Sequence, residues 1–595
     1  MNVVAATQAT ESFLLLSDFN IQNLGRLLEN NSYIRPSCAP YGQLLQTLLS
    51  ADSALWPSNL TGAIVWASPT GISTAYQQVR DFETIDINSI LQDVEVFAAG
   101  LARIPTHVQF IFVPTFSPIQ QFETRRGLLD MDEQHGMARL LMRMNLQLAE
   151  WVARDPRVRL FDSSQWLAAA ADRAFDSRLW YLAKTPYSSS VFSAAARDFA
   201  SALKGLRGQA RKLLILDLDN TIWGGVVGDV GWQKLHLGGH DHKGEAYRDF
   251  QAALKALTNR GILLGIASKN EEAIALEAIR SHPEMILKLD DFAGWRINWD
   301  DKARNIIALT TELNLGLDAV VFIDDNPVER DRIRNALPEI YVPDWPQNPL
   351  LYPSCLRALD CFDAPALSDE DRNRAKLYAS EKERREARDV NLSLDDWLES
   401  LDLNVVVEEL NISNLQRTLQ LINKTNQMNL RTRRLSESEL SFWAKNPDHL
   451  MLVFRLADRF GDYGLVGIGS LIFDRTIRHC YIADFVLSCR AMGRKVEQAM
   501  LCALADRARA SGASILCVEF LPSPRNAPGL SFLKTSGMTE ELSNQRYSLD
   551  LSKPQSYPEC VTLNWKPARS ESHPRTKLLP NEKDPSALSN DGSAK

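Results

Sequence analysis

Asp217 and Asp219 stand one residue apart in the run Lys-Leu-Leu-Ile-Leu-Asp217-Leu-Asp219-Asn220-Thr221. The apolar run from Lys212 to Leu216 has the character of a short strand covered on both faces, and the carboxyl ends of such strands are where α/β sheets place their sites. Carboxylates crowded there repel each other unless a cation sits between them. A hard, oxygen-seeking ion such as Mg2+ would relieve that repulsion and orient a phosphate. An isolated Asp-x-Asp serves equally well as a turn or a helix cap, so the neighbouring segments decide.

Three of them carry matching chemistry. Gly261-Ile-Leu-Leu-Gly-Ile-Ala267-Ser268-Lys269-Asn270 is a second apolar strand, ending in a hydroxyl that can donate to a phosphoryl oxygen, with a helical stretch from Glu271. Ala319-Val-Val-Phe-Ile323-Asp324-Asp325-Asn326-Pro327 is a third strand that again closes on paired carboxylates. Between them, Asn298-Trp299-Asp300-Asp301-Lys302 puts an ammonium at the start of a helical stretch running towards Gly316. One ammonium near carboxylates and a phosphoryl group is electrostatically favourable.

These motifs in this order resemble the haloacid dehalogenase (HAD) phosphotransferase superfamily. The resemblance implies that Asp217 attacks phosphorus to form an aspartyl phosphate and that Asp219 is the general acid/base. It implies that Ser268 and Lys302 hold the transferring phosphoryl group. Mg2+ would be bound by Asp217, the Asp219 backbone carbonyl and Asp324, with Asp325 in support. A carboxylate nucleophile divides phosphoester hydrolysis into two easier displacements.

At ~150 residues per domain, a chain of 595 residues with 45% hydrophobic content reads as several α/β units with real cores. Eight cysteines without a Cys-x-x-Cys pair fit a reducing compartment. A net charge of −8 argues against a nucleic-acid partner. The first residues lack the basic and apolar regions of a signal peptide, and no apolar run reaches ~18 residues. A cytoplasmic protein without a membrane anchor is expected.

Residues 1–206 alternate strands (Ser12 to Leu16, Gly62 to Trp66, Val108 to Val113) with helices, the longest from Asp132 to Ala153. The first strand ends in Leu16-Ser17-Asp18-Phe19-Asn20, where SGNH-type esterases carry a Gly-Asp-Ser nucleophile. Here the Ser precedes the Asp and no Asp-x-x-His appears near the domain's end, so this SGNH-like α/β domain is read as non-catalytic. Residues 207–363 read as the HAD-like, Rossmann-like domain that the resemblance implies. The glycines of Gly224-Gly225-Val226-Val227-Gly228-Asp229 predict a flap or hairpin rather than a helix. With only the helix Glu245 to Arg260 before the second strand, the cap is minimal. Such an open mouth suits a phosphate displayed on a macromolecule. Residues 364–403 read as a charged helical connector, 404–551 as a third, α+β domain, and 552–595 as a disordered tail.

In the third domain, Val486-Leu487-Ser488-Cys489-Arg490-Ala491-Met492-Gly493-Arg494-Lys495 joins a strand to a helix and resembles the pyrophosphate-binding turn of GNAT-type acyltransferases. N–H groups at a helix start, helped by cations, bind phosphate, so Arg490, Gly493 and Lys495 are candidates for a phosphopantetheine phosphate. Lys495 departs from the small residue the pattern ends on. The HAD motifs are followed by Thr425-Asn426-Gln427-Met428-Asn429-Leu430, Arg459-Phe460-Gly461-Asp462-Tyr463-Gly464 and Leu487-Ser488-Cys489-Arg490. Together these segments resemble the FkbH-like family, HAD subfamily IIIC, in its long form. That resemblance implies transfer of a 3-phosphoglyceryl group from 1,3-bisphosphoglycerate to an acyl carrier protein thiol, with dephosphorylation to glyceryl-S-carrier, in polyketide biosynthesis. Several members carry Cys where this chain has Ala267, which points to Cys489 as an alternative acyl acceptor, beside N–H dipoles and Arg490 that lower a thiol pKa. The other open reading is a Mg2+-dependent phosphatase for a different phosphoester, flanked by carrier-docking domains.

Overall fold

The computed structural model describes residues 11–30, 34–49, 56–119, 126–364, 398–425, 427–488, 491–523, 526–541 and 545–566. Cys489, Arg490, nearly all of the connector and the tail beyond 566 lie outside the described residues. Three sheets organise the rest.

The first sheet contains β1 (Glu11–Ser17), β2 (Ile34–Cys38), β3 (Gly62–Trp66), β4 (Phe110–Pro114) and β5 (Val158–Phe161), all parallel, in the order β2-β1-β3-β4-β5. Alternation within each strand feeds two cores. Leu14, Leu16, Ala63 and Val65 enter one apolar cluster, while Phe13, Leu15, Ile64 and Trp66 enter the other. Helices cover both faces, as an all-parallel sheet requires. β2 and β5 are strands that the apolar pattern did not predict. β2 tolerates Pro36 because it lies at an edge, where a missing N–H breaks no ladder. The long helix begins at Met137 rather than Asp132, because the Asp132 carboxylate instead accepts the N–H groups of Gln134 and His135 in a turn.

The second sheet, β8-β7-β6-β9, is also parallel and is built from β6 (Leu213–Leu216), β7 (Leu263–Ser268), β8 (Phe292–Ile297) and β9 (Val320–Ile323). β8 went unpredicted, since Gly294 and Arg296 interrupt its apolar run. The glycine-rich segment after β6 only half matches its prediction. Gly224 and His236 exchange backbone hydrogen bonds as in a hairpin, but Val227–Val230 is one turn of helix. Asp219 Oδ1 accepts the Val227 N–H at 3.1 Å, which starts that turn. The helix Ser189–Leu206 leads into this unit, with Ser201 Oγ donating to Asp360 O and Arg211 N to Cys361 O.

The third sheet is mixed and contains, among the described residues, β10 (Leu403–Glu409), β11 (Met428–Asn429), β12 (His449–Asp458), β13 (Gly461–Asp474), β14 (His479–Leu487), β15 (Ile515–Glu519), β16 (Thr539–Glu540), β17 (Arg546–Asp550) and β18 (Val561–Trp565). The helix Val496–Ala510 covers one face through Ala499, Met500, Ala503 and Leu504. β18 corrects the disordered tail expected from residue 552. Leu403 to Val407 pair in parallel with Val561 to Trp565, and Val561 is buried in the main core. Tyr557 Oη donates to Asp506 at 2.7 Å and Arg509 to Lys553 O, fastening the approach. The polar composition of this stretch hid a short period-two pattern. Among the described residues no helix is long and apolar enough to cross a membrane.

Candidate active site

The reversal of strand succession in the second sheet falls between β6 and β9, the position where open α/β sheets bind ligands. Leu216 lies beside Ile323 in that ladder, so the residues that follow, Asp217 and Asp324, leave the sheet side by side. Asp217 N–H donates to Ile323 O at 3.0 Å and fixes the pair. Carboxylate oxygens of Asp217, Asp324 and Asp325 all lie within 4.8 Å of one another. Asp324 is fully buried and Asp217 nearly so.

Lys302 answers part of this negative charge. Asp301 caps the helix Lys302–Glu312 by accepting the N–H groups of Ala303 and Arg304. That cap aims the Lys302 side chain at the strand ends. Its Nζ lies 2.9 Å from Asp217 Oδ1 and 2.6 Å from Asp324 Oδ2. Burial disfavours the ammonium, but the two carboxylates outweigh it and raise the lysine pKa. Asp324 is pushed up to about 6, by burial first and by Asp217 second, with Lys302 opposing. Asp325 is raised by burial and then by Asp217. Three carboxylates against one ammonium leave a site with unbalanced negative charge.

Asp219 faces elsewhere. Its Oδ1 accepts from Trp223 Nε1 at 2.8 Å as well as from Val227, and its Oδ2 accepts from Asn270 Nδ2 at 2.8 Å. The carboxylate is therefore outside the three-carboxylate cluster, consistent with the metal role assigned by resemblance to its backbone carbonyl and not to its side chain. Burial raises its pKa despite these donors, with Asp217 adding to the rise. Oδ2 keeps a lone pair for a proton, as a general acid needs. Ser268 ends β7 and is buried, one strand away from β6. Ala267, before it, points to the opposite face and sits in the apolar cluster with Ala303, Ile306 and Phe322. A thiol at position 267 would be sealed in that core, so this position offers no accessible acyl acceptor.

Several supporting residues escaped the sequence reading. Arg330, buried in the helix Pro327–Ala336, donates to Asp324 O at 2.7 Å and Asp325 O at 2.8 Å, holding the loop in place. Asp325 N–H donates to Thr221 Oγ1 at 3.1 Å. Thr221 and Asn270 stood inside motifs already singled out, whereas Arg330 carried only a helical spacing from the carboxylate pair.

In the third unit, the turn before Val496 is described for Gly493, with φ +74°, and Lys495, with φ +59°. Arg494 is buried with its guanidinium 5.3 Å from the Tyr463 ring centroid, so it packs against the Gly461–Gly464 hairpin. The first helical turn contains Glu497, whose pKa burial raises. Met428 to Leu430 fills the gap where β14 and β15 diverge beyond Ile482 and Val518. Leu430 N donates to Phe485 O at 3.2 Å, and Leu521 N to Leu430 O at 2.9 Å. In the first unit, Ser68 donates to the Asp18 carboxylate through both N–H and Oγ. The histidines there, His107 and His135, bond Pro57 O and Asp132 instead.

No protein-family model and no curated protein matches the chain. Among solved structures, the N-terminal part of the protein BF1531 from Bacteroides fragilis, containing a phosphatase domain complexed with Mg, is 28% identical, with a TM-score of 0.54 over 60% of this chain and 95% of that one. The second sheet is thus similar in fold to a HAD-type phosphatase domain, and the chain is an enzyme. Spermidine N-acetyltransferase from Vibrio cholerae in complex with CoA and spermine is 15% identical over 25% of this chain and 96% of its own, with a TM-score of 0.21. The ribosomal-protein-S18-alanine N-acetyltransferase from Escherichia coli is 12% identical over 25% of this chain and 95% of its own, with a TM-score of 0.20.

Proposed function

We propose that the chain is a Mg2+-dependent phosphatase that works through an aspartyl phosphate, and that it couples this chemistry to glyceryl loading of an acyl carrier protein. The observation that carries the phosphatase reading is the junction of Asp217 and Asp324 at the sheet's reversal point, bridged by Lys302. The residues fit a hard cation, because three carboxylates share one ammonium and Asp324 is already pushed towards its neutral form. Asp217, Asp324 and Asp325, with the Asp219 main-chain carbonyl, would hold Mg2+, which when bound neutralises phosphoryl charge and orients the ester.

The residues divide the reaction between them. An Asp217 oxygen attacks phosphorus and forms a P–O bond, while the bond from phosphorus to the ester oxygen breaks. Asp219 gives that oxygen its proton. A water then attacks the aspartyl phosphate, Asp219 takes the water's proton, and Asp217 leaves as carboxylate with inorganic phosphate as product. Lys302 and Ser268 hold the equatorial oxygens, where charge builds up.

The glyceryl reading, with 1,3-bisphosphoglycerate as donor, the carrier's phosphopantetheine thiol as acceptor and the cytoplasm as its setting, is supported by the motif series along the chain. Gly493, Lys495 and Arg490 would meet the phosphopantetheine phosphate, and transfer would go through Cys489 or directly to the carrier thiol. Intact-mass analysis of a holo carrier protein incubated with the full chain, Mg2+ and 1,3-bisphosphoglycerate tests it. The expected product is a carrier heavier by one glyceryl group. An unmodified carrier with phosphate released from simple esters would instead favour a phosphatase for another phosphoester, flanked by docking units.

A further inference from the structure

A cavity of about 490 Å³ opens beside the carboxylate cluster, and Asn220, His236, Lys243, Tyr247, Asp325 and Tyr352 are on its wall. Asp325 belongs to the carboxylate cluster and Asn220 follows Asp219, so the cavity adjoins the reaction centre. The part of a phosphoester left outside the phosphoryl site therefore has this space to enter. Its inner wall is built rigidly. Tyr247 and Tyr352 both donate to Asn220 O, at 3.2 and 3.3 Å, and Asn220 Oδ1 accepts the Gly225 N–H at 2.9 Å. A Cβ on Gly224 would come within 2.8 Å of Tyr247 and 2.9 Å of His236, so glycine there keeps the space open.

The charges on this wall are unequal in kind. Asp325 is committed to the carboxylate cluster. His236 Nδ1 lies 3.2 Å from Asp241 Oδ2, and Asp241 also accepts the Lys243 and Gly244 N–H groups. Lys243 is exposed, and its ammonium forms no ion pair among the described residues. A lysine held on a cavity wall by a capped helix start, without an internal carboxylate partner, is available to an anion from outside.

We propose that this cavity binds the carbon portion of the phosphoester and that Lys243, flanked by His236, pairs with a second oxyanion, a carboxylate or a further phosphate, on that portion. The proposal rests on the phosphatase reading and adds its substrate class: phosphomonoesters that carry another acidic group. Lys243 is a specificity residue here, remote from the bonds that change.

Binding to the full-length Asp217→Asn protein with Mg2+ tests this without turnover. Calorimetric titration would compare 3-phosphoglycerate, with a carboxylate, 1,3-propanediol bisphosphate, with a second phosphate, and glycerol 3-phosphate, with neither. The expected result is roughly tenfold tighter binding of at least one doubly anionic ligand than of glycerol 3-phosphate. That preference is expected to disappear in Asp217→Asn/Lys243→Ala and to survive in Asp217→Asn/Lys243→Arg. Equal binding of all three ligands, or a preference that persists in the Lys243→Ala background, overturns the proposal. Phosphate release by the wild-type chain is scored separately. A Lys243-dependent preference without any hydrolysis would retain the binding site and overturn the phosphatase reading alone.

Discussion

The first and second sheets each reverse their strand succession beside the strand that opens the sheet, and each places an aspartate just past that strand's end. Asp18 follows β1 and meets Ser68 after β3, whose N–H and Oγ both donate to it. Asp217 follows β6 and meets Asp324 after β9, with Lys302 between them. The difference is in what each carboxylate faces. Asp18 is satisfied by neutral local donors, and Ser68 in turn caps the short helix Pro69–Ile72, so the arrangement is closed on itself. Asp217 faces two more carboxylates and a single ammonium, an arrangement that still needs a cation. Topology supplied the same location twice, and only uncompensated charge makes one of them a reaction centre.

The largest expected effect separates the two aspartates. Asp217→Asn should lower phosphate release by about three orders of magnitude or more, since the nucleophile is lost, with circular dichroism unchanged. Asp18→Asn should leave hydrolysis within about twofold and cost on the order of 1 kcal/mol in denaturant unfolding, the worth of one altered hydrogen bond. Loss of hydrolysis in Asp18→Asn, or its retention in Asp217→Asn, would break the comparison.

Lys302→Met sharpens it by removing the only ammonium bonded to the cluster among the described residues. Activity should fall about a hundredfold. The metal-free protein should lose about 3–5 kcal/mol, as expected when one partner of a buried ion pair is deleted. Added Mg2+ should then raise the melting temperature more in the variant than in the wild type. A variant whose melting temperature ignores Mg2+ would argue that the carboxylates do not hold the ion together.

A smaller effect concerns pH. Asp324 is pushed up to about 6, against an unfolded value near ~3.9, so the folded chain takes up this proton first. The group's destabilising contribution is therefore fully present above pH ~6 and fades as pH falls towards ~4, the reverse of a carboxylate whose pKa is depressed. Mg2+ needs the charged form, so affinity should drop by up to about tenfold per pH unit below ~6. Titrations at pH 5 and pH 7 would measure this, and equal affinities would remove Asp324 from the metal site.

Much of the second sheet's chemistry was legible because buried parallel strands are continuous apolar runs, and polar residues at their ends stand out. Asp217, Ser268 and Asp324 were singled out in that way, and Lys302 by its place at the start of a helical stretch. Arg330 was not, because its partners are main-chain carbonyls and a surface-like helix sequence does not reveal which side chain turns inward. β18 was missed for the opposite reason, since tail composition masked a strand that only pairing with β10 stabilises. Ala267 shows a further limit. Adjacency to Ser268 in sequence suggests a shared site, but strand alternation sends the two side chains to opposite faces.

The sequence by itself determined which residue types end each strand and how they are spaced, since local apolar patterning specifies strands and caps before any packing occurs. The tertiary structure alone decided which of those ends face each other. The β6–β9 register aligned Asp217 with Asp324, the Asp301 cap aimed Lys302 between them, and Trp223 and Asn270 drew Asp219 aside. Apart from the local Asp301 cap and the Trp223–Asp219 bond, those contacts join segments tens of residues apart, and they exist only where strand pairing and a shared core bring them together.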